Sequence, residues 1–146
     1  MKSFITCCFF TLVTSFAFSQ NTEPVSWGFE VTQNEDASYT FKATAKMKGD
    51  WAIYSQHTEE GGPIPLKFTY EDGVSLVGET VEETEAIKKM SELFEIEVIK
   101  FKKEAVFTQI FKPEKGQSSI KGTLTFMCCD SKRCLPPTDV PFDVAL

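Results

Sequence analysis

Apolar and polar residues alternate along most of this chain, which is the period of a strand with one buried face. Val25, Trp27, Phe29 and Val31 alternate with small or polar neighbours, and Tyr39, Phe41, Ala43, Ala45 and Met47 alternate with Thr40, Lys42, Thr44 and Lys46. Between the two runs, Asn34-Glu35-Asp36 supplies short polar side chains that can bond the nearby backbone, so the runs are expected to pair as a hairpin. Further strands are predicted over Trp51–Ser55, Leu66–Tyr70, Glu95–Phe101, Ala105–Phe111, Ser119–Met127 and Val140–Val144. Lys48-Gly49-Asp50, Glu71-Asp72-Gly73 and Pro113-Glu114-Lys115-Gly116 punctuate them. Seven or eight short strands at this spacing predict an all-β fold, an antiparallel sandwich in a single domain. One stretch departs from the rhythm. Val81 to Leu93 is rich in Glu, Lys, Ala, Met and Leu, which suits a short helix, while its charges suit a solvated face. Gly61-Gly62-Pro63-Ile64-Pro65 reads as a loop.

The amino terminus changes the compartment. Met1-Lys2-Ser3 is a short basic start, and Phe4 to Phe18 is almost entirely apolar or small, ending in Ala17-Phe18-Ser19 before Gln20. That pattern predicts a secretory signal over residues 1–19, cleaved near Ser19/Gln20, and a domain over residues 20–146 located in the periplasm or secreted. The apolar run is short for a bilayer span and the polar Gln20-Asn21-Thr22-Glu23 follows at once, so no stable membrane insertion is expected. Cys7 and Cys8 fall inside the signal. Cleavage would leave 127 of the 146 residues and, with Lys2 gone, 14 basic against 21 acidic side chains, a net charge of −7. An acidic surface argues against nucleic acid or an anionic membrane as partner.

Every remaining cysteine lies in Phe126-Met127-Cys128-Cys129-Asp130-Ser131-Lys132-Arg133-Cys134-Leu135-Pro136-Pro137. A stabilising staple usually ties residues far apart, whereas this cluster closes only a small ring of modest entropic value. Alternation sorts the thiols. If Ile120, Gly122, Leu124, Phe126 and Cys128 share the core face, Cys129 lies on the opposite face and can reach Cys134. A bulge would reverse the assignment. Lys132 and Arg133 would lower a neighbouring thiol's pKa and Asp130 would raise it. Pro136 and Pro137 fix the backbone after Cys134 and remove two donors.

The chain from about Ser26 onward resembles the amino-terminal periplasmic domain of the membrane thiol:disulfide reductase DsbD. The resemblance is carried by Trp51-Ala52-Ile53-Tyr54-Ser55-Gln56, Gly61-Gly62-Pro63-Ile64-Pro65, Glu92-Leu93-Phe94, and Cys129 to Cys134 followed by Leu135-Pro136-Pro137-Thr138. It implies an immunoglobulin-like sandwich with one redox cysteine pair that is reduced by a membrane domain and reduces periplasmic thioredoxin-like proteins. By position, Cys134 would engage partners, Cys129 would resolve the mixed disulfide, Phe94 would cap the pair, and Tyr54 and Pro136 would lie beside it. Members of that family place either five or four residues between the two cysteines, so Cys128 remains an alternative partner for Cys134. The resemblance also implies an electron donor in the membrane, here expected on another chain.

Three other readings compete. Cys129 and Cys134 form an inert staple in a secreted protein-binding module. Cys128, Cys129, Cys134 and His57 form a tetrahedral zinc site, although adjacent cysteines and one distant histidine match ligand spacings poorly. One cysteine acts as a hydrolytic nucleophile, for which a lone His57 is poor support as base. Neither metal nor cofactor is expected.

Overall fold

The computed structural model describes residues 23–146, so the predicted signal over residues 1–19, with Cys7 and Cys8, lies outside the described residues. Eleven strands follow in order: β1 Val25–Gln33, β2 Tyr39–Met47, β3 Ala52–Tyr54, β4 Lys67–Tyr70, β5 Val74–Glu82, β6 Ile87–Met90, β7 Glu97–Lys102, β8 Glu104–Pro113, β9 Ser119–Phe126, β10 Cys128–Cys129 and β11 Thr138–Ala145. All pairings are antiparallel, in sheets ordered β1-β2-β8-β5, β10-β3-β7-β6 and β11-β9-β4. The fold is all-β and immunoglobulin-like, a single domain.

The alternating residues build the frame. Phe41, Ala43 and Ala45 of β2 and Ala105, Phe107 and Phe111 of β8 point inward and are fully buried. Across the sandwich, Phe41 meets Phe142 of β11 at 4.8 Å between ring centroids, and Phe107 meets Phe101 of β7 edge-on at 5.5 Å. Each such side chain contributes about 1.5–3 kcal/mol of hydrophobic burial. The expected hairpin forms, with β1 and β2 in register from Val25↔Met47 to Gln33↔Tyr39. Asp36 closes its turn by accepting the Ser38 N–H at 3.1 Å, and Ala37 takes a φ of 63°. Gly122 stands on the apolar face of β9 because a Cβ there would strike the Thr69 carbonyl and the Phe142 ring.

The Val81 to Leu93 stretch is not a helix. Val81 and Glu82 end β5, and Ile87–Met90 forms β6, an edge strand exposed along its whole length. Tertiary pairing with β7 overrides the helical composition, while Lys88 and Lys89 keep that edge solvated. Strand β5, absent from the sequence expectation, carries a register shift between Val77 and Val81 with Gly78 at φ 70°. The buried amide of Gln109 fastens this bulge, donating to the Val77, Gly78 and Ile110 carbonyls and accepting from the Thr80 hydroxyl at 2.8 Å.

Candidate functional site

Strand β9 ends at Phe126, and after Met127 the chain changes sheets. Cys128 and Cys129 form β10, paired with Ile53 and Ala52 of β3. Alternation survives the change. Cys128 joins the main core with Phe126, while Cys129 faces a second, smaller cluster with Tyr54 and Val98. No bulge reverses the order, so the sorting of the thiols follows the strand period.

Cys129 and Cys134 are joined in a disulfide with a Cα separation of 4.0 Å, and Cys128 is a buried free thiol. The intervening loop is closed by one carboxylate. Asp130 accepts the Lys132 N–H at 2.7 Å and the Arg133 N–H at 2.8 Å, and its own N–H donates to the Arg133 carbonyl at 2.9 Å. Those two amide donors, with the nearby basic charges adding less, hold the Asp130 carboxyl below its usual range. The Leu135 N–H donates to the Cys128 carbonyl at 2.9 Å, which ties the returning chain to β10.

The sequence left the electrostatic balance of this loop open. The Arg133 guanidinium lies 5.8 Å from the centre of the Trp51 ring, a cation–π contact that engages its charge on the β3 side. The one thiol left to titrate here, Cys128, is pushed up by burial and then by the negative charge of Asp130. It stays protonated and a poor nucleophile.

A short connection from Ser91 to Ile96 roofs the cluster. The Ser91 N–H donates to the Ile96 carbonyl at 2.8 Å, the Glu95 N–H to the Ser91 carbonyl at 2.9 Å, and the Phe94 N–H to the Ser91 hydroxyl at 3.3 Å. Glu95 takes a φ of 56°, which turns the chain back towards β7. Phe94 is half-buried against the cluster of Tyr54, Val98 and Cys129, with its ring edge-on to Tyr54 at 6.4 Å and 88°. Burial pushes the Tyr54 phenol up, and negative charge at Cys128 would add to that.

Cys129, Cys134, Tyr54 and Phe94, scattered over β3, β10 and two separate loops, therefore meet in one place. Pro136, two residues beyond Cys134, is exposed and lines a groove of about 950 Å³ together with Trp27, Trp51, Cys128, Arg133 and Leu135. His57 is exposed in the turn after β3, and no cluster of His, Cys, Asp or Glu suited to a metal occurs among the described residues. Reasoning from sequence missed Trp51 as the seat of Arg133 and Asp130 as the loop's closure. An Asp followed by polar residues in a short ring was the available signal for the latter.

No protein-family model and no curated protein matches this sequence. Solved structures do. The DsbD amino-terminal domain of Neisseria meningitidis in the reduced form superposes with a TM-score of 0.60 at 18% identity over 83% of each chain. The chain has the fold of the DsbD amino-terminal domain. The amino-terminal periplasmic domain of ScsB from Proteus mirabilis matches with a TM-score of 0.61 at 18% identity, over 83% of this chain but 45% of the ScsB chain. The DsbD amino-terminal domain in complex with the PilB amino-terminal domain, also from Neisseria meningitidis, matches with a TM-score of 0.51 at 19% identity over 80% of each chain.

Proposed function

We propose that this chain is an exported thiol:disulfide interchange domain that passes reducing equivalents to thioredoxin-like proteins in the periplasm through Cys129 and Cys134. The observation that carries this reading is a disulfide between residues five apart, roofed by Phe94 and Tyr54, within the DsbD amino-terminal fold. A ring this small adds little stability, whereas an aromatic roof over it governs access. The complex of the DsbD domain with a PilB domain supports a protein partner of this kind.

In the reduced domain the Cys134 thiolate attacks a partner disulfide, forming a mixed disulfide and releasing one partner thiolate. The Cys129 thiolate then attacks the Cys134 sulfur, which closes Cys129–Cys134 and releases the second partner thiolate. Two electrons pass from the domain to the partner, and a membrane donor on another chain returns them by the reverse exchange. Cys128 takes no part, because it is buried on the opposite face and stays protonated.

Redox titration of the chain in glutathione or dithiothreitol buffers tests the proposal, with alkylation and mass spectrometry to locate the pair. A Cys129–Cys134 couple between about −270 and −180 mV, the span from thioredoxin to protein disulfide isomerase, is the expected result. A bond that resists reduction to below about −300 mV marks a structural disulfide and overturns the proposal in favour of a secreted binding module.

A further inference from the structure

Strand β3 carries the redox segment on one edge while its three residues pair with Lys102, Phe101 and Lys100 of β7. It meets β10 through only the pairs Ile53↔Cys128 and Ala52↔Cys129. Its far end is tied to β7 by the Tyr54↔Lys100 pair and by the Ser55 N–H, which donates to the Ile99 carbonyl at 2.9 Å, and is held from the other layer of the sandwich by a side chain. Glu82, the last residue of β5, reaches across from the β1-β2-β8-β5 sheet. Its carboxylate accepts the Ser55 hydroxyl at 2.8 Å and the Gln56 N–H at 2.9 Å through Oε1, with Oε2 also 2.9 Å from the Ser55 hydroxyl. Ser55 is fully buried and its oxygen in turn accepts the His57 N–H at 3.0 Å. Gln56 fastens the same junction from its own side, its amide donating to the Thr80 carbonyl at 2.7 Å.

The bulge in β5 makes this reach possible. With Gly78 at positive φ and the strand out of register between Val77 and Val81, Thr80 and Glu82 turn towards the turn after β3, and Gln109 locks that bend from β8. Tyr54 follows directly from the lock. It precedes Ser55, packs beside Cys129, and meets the Phe94 ring at a right angle. A charge-assisted acceptor with two donors, one of them a fully buried hydroxyl, is among the stronger polar contacts a fold can make. Its removal would leave the Ser55 hydroxyl and the Gln56 N–H without that acceptor.

We propose that Glu82 is a positioning residue for the redox pair: by fixing the end of β3 it holds Tyr54 under Phe94, and so sets how often the disulfide is uncovered. The proposal rests on the redox reading of Cys129 and Cys134. Glu82 touches neither sulfur and acts only through Tyr54 and the roof.

The test is the second-order rate at which dithiothreitol reduces Cys129–Cys134 in the whole chain, read beside the thermal midpoint. Glu82→Ala is expected to raise that rate about 5–30-fold, the factor that one or two kcal/mol of lost hold produces. Glu82→Gln, which keeps an acceptor oxygen for both donors, is expected to stay within about twofold of the parent. Phe94→Ala alone is expected to raise the rate, and adding Glu82→Ala to it should change the rate by less than about twofold, because both act through one roof. A Glu82→Ala variant that melts earlier yet reduces at the parental rate overturns the proposal. So do rate effects that multiply in the double variant. If Glu82→Ala fails to fold, Ser55→Ala removes the hydroxyl part of the contact and leaves the Gln56 N–H on Glu82; a smaller rise in rate is expected there, and an unchanged rate overturns the proposal. The reduction potential of the parent chain decides the redox reading separately, since the rate ratio can be measured whether the disulfide is a carrier or a staple.

Discussion

The sheets β1-β2-β8-β5 and β10-β3-β7-β6 are made from one chain by different means. In the first, β1, β2 and β8 run for nine, nine and ten residues, and the registers that join them are unbroken. Their inward aromatics Phe41, Phe107 and Phe111 are fully buried. In the second, β3 pairs with β7 over three residues but with β10 over only two, and side-chain locks supplement these short ladders: Glu82 on Ser55 and Gln56, Asp130 on its own loop, and the disulfide. The contrast separates two kinds of stability. Area-driven packing is lost only with the whole domain, whereas a few polar contacts can let go locally and leave the frame intact. Chemistry that needs a partner to reach two sulfurs belongs on the second kind.

The sharpest way to break this comparison is to remove the sulfurs. Cys134→Ala is expected to abolish trapped mixed disulfides with thioredoxin-like partners and Cys129→Ala to accumulate them, read on non-reducing gels. Equal trapping by both would contradict the assigned roles. On the frame side, Phe107→Ala should cost about 3–5 kcal/mol in denaturant unfolding while leaving the reduction potential where it was, because Phe107 is fully buried in the main core and outside the Cys129 cluster. A shifted potential would show that the two regions are not separable. Cys128→Ala sits at their border and should cost about 1 kcal/mol with redox cycling retained. Loss of cycling would transfer the resolving role to Cys128.

The smallest effect concerns pH. The folded Asp130 carboxyl is held below its ordinary value of 3.8, first by the Lys132 and Arg133 amides, so its contribution is fully present above that value and fades as pH falls through the lowered one. Asp130→Asn should flatten part of the acid unfolding slope and lower stability above about pH 5, where the contribution of the charged carboxyl is fully present. Asp36 and Asp143, lowered mainly by their own hydrogen bonds, keep the rest of that slope. Unchanged neutral-pH stability in Asp130→Asn would mean that an amide oxygen closes the loop as well as the charge does.

Where the two-residue period was clean, the fold was legible from sequence. Tyr39 to Met47 is β2 to the residue, because each inward position is apolar and each outward one polar or charged. The same parity sorted Cys128 from Cys129, since a two-residue period leaves no other arrangement without a bulge. Strand β5 was not legible because its bulge breaks the period at Gly78, and β6 was obscured by lysines and methionine that suit an exposed edge as well as a helix. The placement of Phe94 came from resemblance alone, since an aromatic in a polar loop has no parity to follow. Glu82 left no trace at all: its partners lie 26 and 27 residues away, and one glutamate among several looks like solubility.

The free thiol beside the disulfide has a consequence for how the domain matures. Cys128, Cys129 and Cys134 admit three possible pairings in an unfolded chain, two of them wrong. Once β10 docks on β3, Cys128 is sealed in the main core and Cys129 is left facing Cys134 across a single bridge. Oxidation after docking therefore has one product, whereas oxidation before it has three. The core acts here as an editor of covalent connectivity, and the order of folding and oxidation decides whether it is consulted.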